Sequence, residues 1–240
     1  MSSTNGSPIM ADPNLDLLED AAAKLTPLLR EVVFIGGATL GLLVTDAGAA
    51  PVRGTIDVDV IAEITTYADY TAFSSRLQAL GFAKDDREGA PVCRWVNADL
   101  TLDVMPLEKS VFGFSNIWYR GALEAAYWIA LPSGTEIRII TAPFFLATKM
   151  EAFRGRGRGD FFASHDLEDF IAVVDGRDSL LEELASTRAD VRVYLSNAAK
   201  ELLAERRFRD ALPGYLLPDE ISQQRSEIVV RRLREMAAFE

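Results

Sequence analysis

The chain has 240 residues, 49% of them hydrophobic and 25% charged, and a net charge of −11. That composition suits a globular protein with its own core and excludes collagen-like, low-complexity and wholly disordered chains. A single cysteine, Cys93, and a single histidine, His165, exclude an intramolecular disulfide, a cysteine-rich zinc site and multi-histidine catalysis; the negative charge confines any nucleic-acid contact to a local basic patch.

No run approaches the ~18 consecutive apolar residues of a membrane span. The opening Met1-Ser-Ser-Thr-Asn-Gly-Ser-Pro8 lacks the basic start and apolar stretch of a secretory signal. Residues 1–12 are therefore expected to form a flexible N-terminus, the location to be cytoplasmic and a membrane partner to be absent.

Asp12-Pro13 reads as a helix start, followed by an apolar face from Leu15 to Leu25. Val32-Val33-Phe34-Ile35 is a short buried-type strand ended by Gly36-Gly37, and residues 38–44 read as a helix. From Thr55 to Ile61 the pattern alternates, with Ile56, Val58 and Val60 on one face and Asp57 and Asp59 on the other. Residues 67–80 form a helix stopped by Gly81. Residues 92–96 and 100–105 flank a turn at Asn97-Ala98-Asp99, and residues 128–131 and 136–140 flank Pro132-Ser133-Gly134. Beyond Pro143 the pattern is helical, over 143–153, 166–175, 179–203 with a break, and 219–237. Strands first and helices afterwards predict an α+β fold: a core over residues 13–141 and a helical C-terminal portion over 142–240.

Asp57 and Asp59, two apart on a strand, project from one face. Two adjacent negative charges cost free energy unless a cation neutralises them, and hard oxygen donors suit Mg²⁺ or Mn²⁺. Asp103 lies on the alternating strand Leu100–Met105 and joins the pair if that strand runs alongside. Three carboxylates on adjacent strands make a site for one or two metals that can clamp a triphosphate. A wet sheet face would carry the same alternation without any metal.

The surrounding residues are Phe34-Ile-Gly-Gly-Ala-Thr-Leu-Gly-Leu-Leu43 and Arg53-Gly-Thr-Ile-Asp-Val-Asp59. A strand ending in Gly-Gly before a helix lets backbone approach a phosphate. This set resembles the nucleotidyltransferase superfamily that includes DNA polymerase β and, within it, the AbiEii-type nucleotidyltransferase toxins. In that family a strand–Gly-Gly–helix unit precedes Arg-x-(Thr/Ser)-x-Asp-(aliphatic)-Asp. Downstream it has a helical Lys, matched by Lys149 in Phe145-Leu-Ala-Thr-Lys-Met-Glu-Ala-Phe153, then an Arg-rich stretch and Asp-x-x-Asp, matched by Asp166 and Asp169. The match runs from about Val32 to Val174. His165 stands where the family often has Lys or Arg, and the loop from Arg154 to Arg158 is long and glycine-rich.

The resemblance implies a nucleotidyltransferase-fold mixed sheet and a Mg²⁺-dependent enzyme. Such an enzyme transfers an NMP from an NTP to an acceptor hydroxyl. Metal ligands are Asp57, Asp59 and Asp103; the nucleotide-binding set is Gly36, Gly37, Thr39, Arg53, Lys149 and Arg154; Lys149 and Asp166 join the three carboxylates in catalysis. Lys149 is expected to meet a phosphate and to stand apart from the core. Arg154, Arg156 and Arg158 are candidates to grip a triphosphate or an RNA backbone, with Arg231, Arg232 and Arg234 extending the path. The biological reading is the toxin of a toxin–antitoxin or phage-defence pair, with a tRNA 3′ end as acceptor and a cognate antitoxin as partner. Two alternatives stand beside it: an antibiotic-type transferase acting on a small molecule, and a non-catalytic nucleotide-binding or antitoxin-like module.

Overall fold

The computed structural model describes residues 12–155 and 159–240. The expected flexible terminus, apart from Asp12, lies outside the described residues, as do Arg156 and Arg158. The elements in order are α1 (Leu15–Lys24), β1 (Val32–Ile35), α2 (Leu40–Leu43), β2 (Val58–Ala62), α3 (Tyr67–Ala79), β3 (Ala83–Lys84), β4 (Arg94–Asn97), β5 (Leu100–Met105), α4 (Lys109–Phe112), α5 (Tyr119–Ala125), β6 (Tyr127–Ala130) and β7 (Glu136–Ile139). There follow α6 (Ala142–Gly155), α7 (His165–Gly176), α8 (Leu180–Ser186), α9 (Ala189–Ala204), α10 (Arg206–Ala211) and α11 (Glu220–Ala237).

The strands form one mixed sheet in the order β3-β4-β5-β2-β1-β7-β6. The apolar run of β1 is buried throughout because the strand lies inside the sheet, between β2 and β7. β1 pairs with β2 antiparallel and with β7 parallel, and β2 pairs with β5 parallel. Local chemistry sets the ends: Thr66 and Asp69 form a reciprocal capping box at the start of α3, and Gly81 follows its end at φ +86°. The β4–β5 hairpin turns through Ala98, at φ +51°.

The helices after β7 pack on one another, α6 on α7 and α9, and α11 on α9 and α7. Phe144, Phe145, Phe170, Leu195 and Val229 join the sheet residues in one buried core cluster. Thus a mixed seven-stranded sheet with flanking helices is followed by a helical C-terminal portion, as the order of patterns predicts. Among the described residues no helix is long and apolar enough to cross a membrane.

Three details differ from the sequence reading. The second strand starts at Val58, so Asp57 precedes the strand that carries Asp59, and Ile56 is 84% exposed instead of sharing a buried face with Val58 and Val60. The helix expected over 38–44 is a 3-10 turn, Gly37–Thr39, leading into the single turn of α2. The short helices α4 and α5 carry too few turns for a periodic pattern to register.

Candidate active site

Asp59 of β2 is in register with Ile35 of β1 on one side and with Asp103 of β5 on the other. Register neighbours project from the same face, so the sheet stands Asp103 beside Asp59. After Ile35 the chain turns through Gly36, at φ +72° and ψ −166°, a region essentially closed to other residues. A Cβ at Gly36 would collide with the Asp59 carboxylate, so glycine is what lets the backbone pass it. A Cβ at Gly37 would come within 3.0 Å of the Arg53 guanidinium. Thr39 is fully buried and donates its hydroxyl to the Gly36 carbonyl at 2.9 Å, which holds the turn.

Asn14 supports the same region. It occupies the N-cap position of α1 but does not cap the helix. Instead its amide donates to the Arg53 carbonyl at 3.0 Å and accepts from the Thr55 N–H at 2.8 Å. Thr55 in turn donates its hydroxyl to Asp57 at 2.9 Å.

Two clusters of charge flank this turn. In the first, Arg94 of β4 sits opposite Asp103 and donates Nε and a terminal nitrogen to its two carboxylate oxygens, at 2.8 and 2.7 Å. The same terminal nitrogen reaches Asp57 at 2.8 Å. Hydrogen bonding to Asp103 holds the Arg94 guanidinium above its ordinary value. In the second, Asp169 of α7, fully buried, accepts from Arg53 at 2.7 and 2.9 Å and pairs with Lys149 of α6 at 2.6 Å. Asp166 lies 3.4 Å from the same ammonium. Lys149 is only 7% exposed and so belongs to the interior, contrary to the sequence expectation. Its ammonium is tolerated there because carboxylates neutralise it.

Between these clusters lies a cavity of about 360 Å³. Gly36, Asp59, Lys149 and Asp166 line it, together with Met105, Phe114, Tyr119 and Glu151. Segments far apart in sequence thus supply backbone, carboxylate and ammonium to one space. Asp57, Asp103, Arg53 and Arg154 do not line it. Arg154 stacks on Tyr194, 5.0 Å from the ring centre, and pairs with Glu201 of α9. His165 is exposed and bonded to Glu168 at 2.9 Å. Phe161 packs edge-on against Phe153, which makes it an anchor.

The C-terminal arginines brace the fold. Arg225 pairs with Asp175 and Asp46, Arg232 donates to the carbonyls of Val174 and Asp175, and Arg231 lies 3.9 Å from Glu235.

Among the described residues no group of three His, Cys, Asp or Glu side chains is disposed to hold a metal ion. The guanidinium of Arg94 sits between Asp103 and Asp57. Asp57 and Asp59 retain the chemistry of a two-carboxylate site: hard oxygen donors two residues apart fit Mg²⁺ or Mn²⁺.

Sequence reasoning missed Arg94 and Asn14. The hairpin turn already identified would have put Arg94 opposite Asp103 by counting back along the two strands. Nothing in the sequence separates Asn14 from an ordinary helix cap.

No family model matches the chain, and no curated protein sequence matches it. Similar solved structures include an antigenic nucleotidyltransferase-like protein from Paracoccidioides brasiliensis, 18% identical, covering 81% of this chain and 91% of that one with a TM-score of 0.48. Another is JHP933 from Helicobacter pylori, 12% identical, covering 94% of this chain and 92% of that one with a TM-score of 0.47.

Proposed function

We propose that the chain is a nucleotidyltransferase that moves an NMP from an NTP to an acceptor hydroxyl. The observation that carries this reading is the convergence of Asp59, Lys149 and Asp166 on one cavity of about 360 Å³ beside the Gly36 turn. In the reaction the acceptor oxygen bonds to the α-phosphorus, the bond from that phosphorus to the bridging β-oxygen breaks, and pyrophosphate leaves. The hydroxyl proton passes to a carboxylate facing the cavity. Asp57 and Asp59 would hold Mg²⁺ or Mn²⁺, which when bound supplies positive charge against the triphosphate. Lys149 offers its ammonium to phosphate oxygens, with Asp169 and Arg53 fixing its position. Asp166, 3.4 Å from the Lys149 ammonium, orients the acceptor, and Arg94 and Thr55 hold the Asp57 carboxylate.

The toxin reading, with a tRNA 3′ end as acceptor and an antitoxin as partner, rests on the motif resemblance. A small cationic acceptor is favoured by a separate observation. Among the described residues the cavity wall carries Asp59, Glu151 and Asp166 beside the single ammonium of Lys149, while Arg154, Arg225 and Arg232 are engaged with carboxylates. An anionic RNA backbone gains little from such a surface.

Label transfer from α-phosphate-labelled NTPs separates the readings. Incubation with Mg²⁺ and either total RNA or a panel of polyamine and aminosugar alcohols should label one acceptor class, and the Asp57→Asn/Asp59→Asn variant should label neither. Labelling that persists in that variant, or its absence from every acceptor with a folded parent, overturns the proposal.

A further inference from the structure

Three carboxylates on adjacent strands ordinarily invite two divalent ions, since each ion needs several oxygen donors and the carboxylates need the charge. Here an arginine is already among them. Arg94 grips both oxygens of Asp103 and touches Asp57, and its side chain and that of Asp103 are mostly buried. The contact is built into the sheet: Arg94 and Asp103 are register partners across the β4–β5 hairpin, which sets their side chains next to each other on one face.

We propose, on the basis of the functional reading above, that Arg94 takes the place of a second metal ion. The site then holds one divalent ion, on Asp57 and Asp59, while Asp103 serves as the anchor of Arg94 and not as a metal ligand. A bidentate arginine–carboxylate pair is geometrically fixed and directional, so Asp103 is not readily released to a metal. Arg94 is thereby a positioning residue. It acts on the metal through Asp57, whose Oδ2 it holds while Thr55 holds Oδ1.

The test is a count of bound Mn²⁺ by electron paramagnetic resonance on the full chain, with the metal alone. The parent should bind one Mn²⁺ per chain, and Asp57→Asn/Asp59→Asn should bind none. Asp103→Asn should keep the parent's single ion with an affinity changed by only a few-fold. Arg94→Gln frees Asp103 and removes a positive charge, so it should gain a second ion or tighten the first by about tenfold or more. If Arg94→Gln fails to fold, as judged by circular dichroism, Asp103→Asn alone decides, because it is nearly isosteric. Two ions in the parent, or loss of Mn²⁺ in Asp103→Asn, would overturn the one-ion assignment while leaving the transferase reading intact. A folded parent that binds no Mn²⁺, or binding indifferent to Asp57 and Asp59, would remove the functional reading itself and this inference with it.

Discussion

Arg53, in the segment before β2, holds Asp169 of α7 through both carboxylate oxygens, at 2.7 and 2.9 Å. This pair ties the segment that carries Asp57 and leads into Asp59 of β2 to the helices that carry Lys149 and Asp166. Asp169 is fully buried and is the nearest carboxylate to two cations inside the fold. Asp169→Ala removes the bidentate partner of Arg53 and the nearer of the two carboxylates at Lys149, and urea unfolding should show a loss of about 3–5 kcal/mol. Asp166→Asn keeps the shape of a side chain that lies 3.4 Å from Lys149 and should cost about 1 kcal/mol while abolishing transfer. Equal destabilisation by the two variants would contradict the division of labour between them.

Gly36→Ala combines two penalties. The backbone at φ +72° and ψ −166° costs an alanine about 1–3 kcal/mol. The added Cβ also collides with Asp59 and must push its carboxylate aside. The expected outcome is a lower melting temperature together with loss of Mn²⁺-dependent stabilisation. A variant that melts lower yet keeps the full metal-dependent shift would show that Gly36 serves the turn alone.

Arg225 fastens α11 to the rest of the molecule through Asp175, at 2.8 Å, and Asp46, at 2.6 Å. Burial pushes the Asp175 carboxyl up, and Arg225 opposes that shift. Arg225→Met leaves Asp46 and Asp175 with only the more distant charge of Arg232 and should destabilise the protein by about 3–5 kcal/mol. Limited proteolysis should then cut first near the start of α11. Unchanged stability and cleavage would mean that α11 is held by its apolar face, through Val229 and Leu233, alone.

Cys93 gives an alkaline signature. Burial, reinforced by the negative charge of Asp103, pushes its thiol up to about 12 from an ordinary 9.0. Between those values the unfolded chain has lost the thiol proton and the folded chain keeps it, so stability falls as pH rises. The slope assigned to this one group is about 1.4 kcal/mol per pH unit. Cys93→Ala should lack that component, and its stability curve should fall less steeply than the parent's from about pH 9 upward. Parallel curves would show that the thiolate is accommodated in the fold.

Much of this was legible before any coordinates. The apolar run of β1, the alternation leading to Asp59 and the periodicity of α6, α7 and α11 are strong patterns, because each reflects a face that must be buried. The parallel pairing of β2 with β5, which stands Asp103 beside Asp59, could be stated only as a condition. It depends on a crossover through α3 that no local pattern specifies. Lys149 shows the complementary limit. A lysine among apolar residues reads as a side chain seeking solvent or ligand, and only the approach of α7 supplies the buried carboxylates that satisfy it. The motif assigns catalysis to Asp166 and no role to Asp169, yet the position of Asp169 one helical turn inside α7 puts it between Arg53 and Lys149.

The most direct test of the account is a crystal of the full chain grown with Mn²⁺ and an NTP analogue carrying a methylene bridge between the α- and β-phosphates, with data collected for the anomalous signal of manganese. The account predicts one manganese peak against the carboxylates of Asp57 and Asp59, and a triphosphate in the cavity between the Gly36 turn and Lys149, with Asp103 still held by Arg94. Nucleotide bound elsewhere on the molecule, or manganese absent from Asp57 and Asp59 while the nucleotide is present, would contradict it.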